Sequence, residues 1–275
     1  MRQFCTMVVL ITAIAMISVS PAQADSLGYW DFDEASGSAL DAGTGGNDGA
    51  LLGGAARSAT IFGQTPLTTP NVNSMEFFND GDAVNMGTSP DVGANDFTLE
   101  GWVNIRAGGA DSFPLIAGKL ISGNFLDRGF ELQARPDGSV GGEAGTGKWQ
   151  ARFAIRFGGS QDQVLSADLD FDTWYHLAGV RRGTGAGAVE LFVDGVSQGT
   201  ASSGHIDLTS GQHFSIGGAN LGGGGGFGRA LDGFIDEVRL SDTALAPSEF
   251  LIPEPGSLSL LATAMALMGM RRRHA

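Results

Sequence analysis

Residues Phe97–Ile105 read Phe-Thr-Leu-Glu-Gly-Trp-Val-Asn-Ile, and this stretch decides the fold class. Apolar positions such as Leu99 and Val103 alternate with other residue types along the whole segment. A period of two places successive side chains on opposite faces, so the segment predicts a long β-strand. The segment Trp149–Phe157 repeats the alternation and predicts a second long strand.

A tight hairpin is predicted at Asp194-Gly195, because both residue types tolerate the positive φ angles of a two-residue turn. The hairpin would join a strand at 188–193 to one that begins at Val196, and 174–180 is a further strand. Shorter candidate strands are 27–33, 74–78, 83–86, 129–134, 213–217 and 231–240. Helical periodicity is nearly absent between the two ends of the chain. The pattern predicts an all-β domain of two antiparallel sheets packed face to face as a jelly-roll sandwich.

The C-terminal end has the composition of a sorting and membrane-anchoring segment. Pro253-Glu254-Pro255 precedes an uncharged apolar run at 257–270, and Arg271, Arg272 and Arg273 follow it. The run is shorter than the roughly 20 residues of a full bilayer span. Because arginines that flank an apolar helix stay on the cytoplasmic side, we expect a transmembrane helix with the preceding chain outside the cell.

The N-terminal end has the composition of a signal peptide. Arg2 precedes a nearly apolar run at 7–19, and Ala22-Gln23-Ala24 fits a cleavage site, so Ala22 and Ala24 are the predicted recognition residues. We therefore expect three parts: a signal peptide at 1–24, one jelly-roll domain at 25–252 and a sorting tail at 253–275.

Charge and cysteine content exclude several classes of protein. The formal net charge of −14 would repel a phosphate backbone, so no nucleic-acid partner is expected. The same charge suits solubility outside the cell and, locally, hard cations such as calcium. The only cysteine, Cys5, lies in the predicted signal peptide, so the mature chain would contain no disulfide.

The order of Pro-Glu-Pro, short apolar helix and terminal arginines resembles the PEP-CTERM sorting signal of exported bacterial proteins. The resemblance implies processing near the motif by a membrane protease of the exosortase type. It also implies transient anchoring in the membrane through the C-terminal helix, and a final place at the cell surface or in the extracellular matrix.

A second resemblance covers nearly the whole body of the chain. Its segments, in order, are 28–34, 47–49, 75–84, 97–103, 174–180, 191–195 and 233–240, followed by Ala244-Leu245. Together they resemble the LamG-like jelly roll of the concanavalin A-type lectin/glucanase superfamily. The resemblance implies that the first and last strands pair, with 30–34 beside 235–239.

A structural calcium ion is a further implication of this resemblance. Asp236 is predicted to share a strand face with Val238 and Leu240, where an ionised carboxylate is costly unless it is compensated. Members of the family often bind calcium through such acidic side chains and backbone carbonyls, which implies a metal site of Asp236 with Asp31 and Asp33. The alternative is that Asp236 accepts backbone hydrogen bonds at a strand junction without any metal.

Hydrolysis is disfavoured by the arrangement of the acidic residues. Glycosidases on this type of sandwich typically carry a Glu-x-Asp-x-x-Glu strand, which sets three carboxylates into the cleft. No Glu in this chain is followed two residues later by Asp, so we expect a protein that is not an enzyme. Glu100 and Glu131 are the residues that a divergent hydrolase or lyase would use. The carboxylates of 168–172 are predicted to share one strand face as a solvated acidic edge.

The predicted ligand-binding residues are Trp102 and Phe227, as aromatic platforms for sugar rings, and Asn220 and Arg229, as hydrogen-bonding side chains from loops. His176 is expected to serve packing or a backbone hydrogen bond. The sequence therefore predicts an exported, non-catalytic module that binds a carbohydrate or a protein. Two alternatives stay open: a structural component of an exopolysaccharide or biofilm matrix without a defined ligand, and a divergent polysaccharide hydrolase or lyase.

Overall fold

The computed structural model describes residues 26–63, 70–107, 113–120, 128–136, 147–222 and 226–253. These residues form β-strands and one short 3₁₀ turn, Pro247–Glu249. The strands are β1 Ser26–Trp30, β2 Ala50–Leu52, β3 Ala56–Ser58, β4 Ser74–Phe77, β5 Ala83–Asn85, β6 Phe97–Ile105, β7 Leu115–Lys119, β8 Gly129–Pro136, β9 Trp149–Phe157, β10 Ser160–Leu169, β11 Trp174–Arg181, β12 Gly185–Val193, β13 Val196–Ser203, β14 Phe214–Ile216, β15 Ala219–Asn220, β16 Phe227–Gly228 and β17 Gly233–Ser241.

Two antiparallel sheets form a sandwich, as the alternation predicts. The eight-stranded sheet has the order β13-β12-β11-β6-β17-β4-β3, and β1 pairs with β17 beside this path. The seven-stranded sheet has the order β10-β9-β8-β7-β14-β5-β2, and β15 and β16 form a separate hairpin. Many neighbouring strands are distant in sequence, so the chain passes repeatedly between the sheets, as in a jelly roll.

Aromatic residues from both sheets meet in the core. Phe97 in β6 lies 4.7 Å from Phe130 in β8, measured between ring centroids, and Trp30 in β1 stacks on Phe214 in β14 at 5.3 Å. All four side chains are fully buried. Because each of these contacts joins one sheet to the other, burial of the alternating apolar face holds the sandwich together.

The predicted hairpin is confirmed. β12 and β13 are joined by Asp194 and Gly195, with φ angles of 48° and 75°. These two positive angles are those of a type I′ turn, whose twist matches that of the flanking strands. The Asp194 carboxylate also accepts the backbone N–H of His176 at 2.9 Å, which fixes the turn against β11.

The first and last strands pair, but in a shorter segment than predicted. Trp30 lies opposite Val238, and the strand ends there, because Phe32 has a φ angle of 59° and turns the chain away. Residues 31–34 are therefore not paired with β17.

A β-bulge in β17 corrects the predicted placement of Asp236. The register moves from Asp236 opposite Trp102 to Arg239 opposite Glu100, so three steps on β17 face two steps on β6. Glu237, at the bulge, has a φ angle of 53°. The extra residue reverses the side-chain alternation, so Asp236 does not share a face with Val238 and Leu240, which point into the core.

The carboxylates at 168–172 are exposed, as predicted, but their predicted common strand face is wrong. β10 ends at Leu169, and a bulge separates Leu165 from Asp168. Asp172 has a φ angle of 56°, beyond the end of the strand. The three carboxylates therefore do not share a strand face.

Both predicted end segments lie outside the described residues: the signal peptide with Ala22 and Ala24, and the tail from Glu254 through Pro255 to Arg271, Arg272 and Arg273. Of the Pro-Glu-Pro motif, the structure describes the first residue, Pro253. Within the described ranges, no helix is long and apolar enough to cross a membrane.

Candidate functional site

The outer face of the seven-stranded sheet carries a charged cluster around Glu131. In β8 and β9 the apolar residues point inward, so Glu131, Arg152 and Arg156 point away from the core. Arg156 donates to Glu131 Oε1 from Nε at 2.8 Å and from Nη2 at 2.5 Å, and Arg152 Nη2 donates to the same oxygen. We call Arg152, Arg156 and Arg229 around Glu131 the arginine cluster.

Three of the four predicted ligand residues lie in or directly after the β15–β16 hairpin, and one of them, Arg229, contacts Glu131 on this sheet. Asn220 lies directly opposite Phe227 in the hairpin, and Arg229 follows it. Arg229 Nη2 lies 3.3 Å from Glu131 Oε2, and its Nε donates to the carbonyl of Phe113 at 2.7 Å. Phe227 is half-buried, with its ring 6.4 Å from that of His213.

Glu131 is held in its ionised form. Burial by itself would raise the pKa of this carboxyl, but the guanidinium groups of Arg152, Arg229 and Arg156 outweigh it and hold the pKa below the usual value. A glycosidase needs a carboxylic acid with a raised pKa to protonate the leaving group. The arginines around Glu131 lower its pKa instead, so this carboxylate is suited to stay a fixed anion and not to donate a proton.

Trp102 and Glu100 lie on the outer face of the other sheet, away from the hairpin residues. The C-terminal segment crosses this face and covers both of them. Leu251 donates its backbone N–H to Glu100 Oε2 at 2.9 Å, and its carbonyl accepts the indole N–H of Trp102 at 2.9 Å. The Trp102 ring stacks on Phe62 at 4.0 Å between centroids. Contacts within the chain thus occupy the predicted platform at Trp102.

A buried ion cluster lies under the same segment. Glu100 is fully buried and accepts hydrogen bonds from Arg239 Nε at 2.7 Å and from His176 Nε2 at 2.9 Å. Burial would raise the pKa of Glu100, but the hydrogen bond with His176 and the charge of Arg239 lower it below its usual value. His176 packs against Trp102 and Phe250, as predicted, with ring centroids 5.4 and 5.7 Å away, and it also bonds the Glu100 side chain.

The predicted metal ligands belong to a third group of side chains, at the closure of β1 on β17. Asp236 is fully buried, and its Oδ2 accepts a hydrogen bond from Asn71 at 2.9 Å. Asp33 Oδ1 accepts the backbone N–H groups of Val72 and Asn73, both at 2.8 Å. Burial raises the pKa of Asp236 to about 9, and the charges of Glu237 and Asp33 add to the increase.

These side chains do not fit a calcium ion as they are arranged. In the part of the chain that the structure describes, no group of three or more His, Cys, Asp or Glu side chains is placed to hold a metal. Burial also raises the pKa of Asp31, and it raises that of Glu237, which accepts a hydrogen bond from Tyr29, to about 8. Protonation would reduce the charge of these side chains without a metal, and the calcium ion stays a prediction.

Comparison with known proteins decides the family. The sequence profile described as the concanavalin A-like lectin/glucanases superfamily matches residues 78–250. The chain belongs to this superfamily. Comparison with curated protein sequences gives no match.

Solved structures of the same fold include domain 4 of AbnA, an extracellular arabinanase from Geobacillus stearothermophilus, in complex with arabinotriose. It is 16% identical, with a TM-score of 0.54 over 82% of this chain and 96% of that chain. The binding domain of Paraclostridial Mosquitocidal Protein 1 is 11% identical, with a TM-score of 0.56 over 82% of this chain and 50% of that chain. The binding domain of botulinum neurotoxin serotype D is 8% identical, with a TM-score of 0.53 and the same coverage. At these identities the likeness shows the concanavalin A-like fold alone.

A cleft of about 380 Å³ lies elsewhere on this concanavalin A-like domain, beside the start of β1. Two of its polar side chains are occupied within the protein: Asp91 Oδ2 accepts from Lys119 Nζ at 2.7 Å, and Asn47 Nδ2 donates to the Leu27 carbonyl at 2.7 Å.

Sequence reasoning missed Arg152 and Arg156 as functional candidates. The available signal was the alternation of Trp149–Phe157, which places both arginines on the non-core face. Their meeting with Glu131 depends on the β8–β9 register, in which Glu131 lies opposite Ala154 and between the two arginines.

Proposed function

We propose that this protein is an exported bacterial, non-catalytic carbohydrate-binding module of the cell surface or extracellular matrix. The observation that carries the proposal is the β15–β16 hairpin, in which Asn220 lies opposite Phe227 and which Arg229 joins to Glu131 on the outer face of the seven-stranded sheet. A half-buried aromatic ring next to fixed polar groups is the composition of a sugar-binding surface. The arabinotriose complex of AbnA domain 4 shows that a domain of this fold can hold a glycan.

The state of the two glutamates supports the non-catalytic part of this proposal. Glu131 and Glu100 lie on different sheets, and the pKa of each is held below its usual value, by three arginines at Glu131 and by His176 and Arg239 at Glu100. Retaining and inverting glycosidases place their two carboxyl groups within about 5 to 10 Å across one cleft. These two glutamates cannot form such a pair, so we expect no hydrolysis of any glycan that binds.

Export and sorting are part of the same proposal and rest on the end segments of the sequence. A signal peptide at 1–24 would direct export, and the tail from Pro253 would hold the protein in the membrane until an exosortase-type protease acts near Pro253-Glu254-Pro255. In a strain with such a protease, we expect Glu254→Ala to leave a membrane-bound form of higher mass than the wild type. Wild-type processing of this variant would contradict the assignment of the motif.

The test of binding is a glycan array with the full-length protein in mild detergent, run once with calcium and once with a chelator. We expect binding that Phe227→Ala weakens about tenfold, since an aromatic contact with its buried area contributes about 1.5 kcal/mol. The matched control is Phe78→Ala, because Phe78 is an exposed aromatic residue outside the hairpin. A folded protein that binds no glycan in either condition would refute the proposal and favour a protein ligand or a purely structural matrix role.

A further inference from the structure

The arginine cluster contains more positive charge than its own carboxylate compensates. Arg152 and Arg229 both contact Glu131, so among the described residues two guanidinium groups share one carboxylate. Their side chains are only 5% and 11% exposed, which limits compensation by water. Burial lowers the pKa of Arg152, and the charges of Arg156 and Arg229 add to the decrease against the opposing effect of Glu131. A buried excess of positive charge is costly, and an anion would relieve it.

Two polar groups have unused hydrogen-bonding capacity, one in Arg152 of the cluster and one in the neighbouring Gln133. Gln133 and Arg152 lie directly opposite each other on β8 and β9, and both are at least nine-tenths buried. Within the described ranges, Arg152 Nε has no acceptor and Gln133 Oε1 has no donor. Buried polar atoms are nearly always paired, so a donor and an acceptor left open side by side indicate a missing partner. That partner would have to accept a hydrogen bond from a guanidinium and donate one to an amide.

A sugar acid has this combination of groups. Its carboxylate accepts two parallel hydrogen bonds from a guanidinium fork, and its neighbouring hydroxyl groups donate to an amide oxygen. A neutral sugar supplies the hydroxyl groups without the negative charge. A simple inorganic anion supplies the charge without the hydroxyl donors.

We infer that the arginine cluster, with Gln133, selects glycans that carry carboxylate groups, such as oligomers of uronic acids. The inference rests on the proposed glycan-binding function and names the class of ligand for the same face. It also explains how a protein of net charge −14 can hold an anionic polysaccharide, because the positive groups are concentrated at one site. Phe227 and Asn220 would contact the neighbouring sugar units of the bound glycan.

Binding of oligogalacturonate and of its methyl ester by the full-length protein in mild detergent tests the inference. The two probes share every sugar ring and differ in the charge of the carboxyl groups. We expect the acid to bind at least about tenfold more tightly than the ester, since hydrogen bonds to a charged group are worth about 1.5 kcal/mol or more. We also expect this preference to fall as salt concentration rises.

Variants assign the preference to the cluster. Arg229→Gln should weaken binding of the acid about tenfold and leave binding of the ester unchanged. Arg182→Gln is the matched control, because it removes the same charge from a half-exposed ion pair with Glu190 on the other sheet. Thermal midpoints of both variants report whether each has folded.

A second measurement does not depend on a stable Arg229 variant. Glu131→Gln removes the internal anion and should lower the thermal midpoint, and added galacturonate should restore part of the loss, while its methyl ester should not. Equal binding of acid and ester by the wild type would overturn the inference and leave the proposed function intact. Failure to bind these probes and every neutral glycan would overturn both.

Discussion

Replacing Asp236 with Asn should reduce the loss of stability that we expect as pH rises. Asp236 is fully buried and Glu237 nearly so, and their pKa values are raised from 3.8 and 4.5 to about 9 and about 8. Both carboxyls therefore bind protons more tightly in the folded than in the unfolded protein. Stability from these groups is fully present below about pH 4, and it is lost progressively as the pH rises to about 8 or 9.

The slope follows from the number of protons that the folded state retains. For each proton that the folded state retains and the unfolded state has lost, the free energy of unfolding falls by about 1.4 kcal/mol per pH unit. One such group therefore gives a slope of about 1.4 kcal/mol per pH unit, and two give about 2.7 kcal/mol per pH unit. Glu100 and Glu131 act in the opposite direction, but their lowered pKa values confine that effect to pH below about 4.5. We therefore expect maximal stability near pH 5, with a decline on the alkaline side.

The assay is urea unfolding of the wild type and of Asp236→Asn at several values between about pH 5.5 and about pH 7.5. Across this range the free energy of unfolding of the wild type should fall by about 3 kcal/mol more than that of the variant, because the variant lacks one of the two titrating groups. Asp170→Asn is the matched control: it makes the same change of charge at a side chain that is 64% exposed. It should leave the slope unchanged.

Two results would refute this reasoning. Equal slopes for Asp236→Asn and the wild type would mean that Asp236 is ionised in the folded protein. A large rise in the thermal midpoint on adding calcium, absent in Asp236→Asn, would mean that a cation compensates the cluster and would support the calcium prediction.

Two further predictions concern packing and buried charge. Gly179→Ala should destabilise the domain by about 1 to 3 kcal/mol in urea unfolding, because the added Cβ would lie 2.2 Å from the Phe153 ring. Gly204→Ala is the control, because an added Cβ there would have nothing within 4 Å. Equal losses of stability in the two variants would contradict the packing argument. Glu100→Gln should cost about 3 to 5 kcal/mol, because it leaves a buried guanidinium without its anion. Glu190→Gln, at a partly exposed ion pair, should cost about 1 kcal/mol or less, and a similar loss in both variants would argue against the buried cluster as a stabilising element.

Local patterns were sufficient to predict much of the fold. The strands Phe97–Ile105 and Trp149–Phe157 have the bounds that their alternation predicts, because apolar residues of each point into the core while the other face, which is also largely buried, carries most of the polar ones. The turn at Asp194-Gly195 is set by the backbone preferences of those two residues. β10 was missed because it is an edge strand whose first half, from Ser160, is polar and exposed on both faces.

Only the tertiary structure decided which polar residues meet. The bulge at Glu237 depends on the pairing of β17 with β6, and it moved Asp236 to the opposite face from the one that strict alternation predicts. Arg229 reaches Glu131 across 98 residues of sequence, and Leu251 reaches Glu100 across 151. The sequence by itself determined the strands, the sandwich and the chemistry of the two ends, because periodicity and turn preferences act over a few residues. The candidate site was decided by strand register and chain crossings, which depend on burial summed over the whole domain.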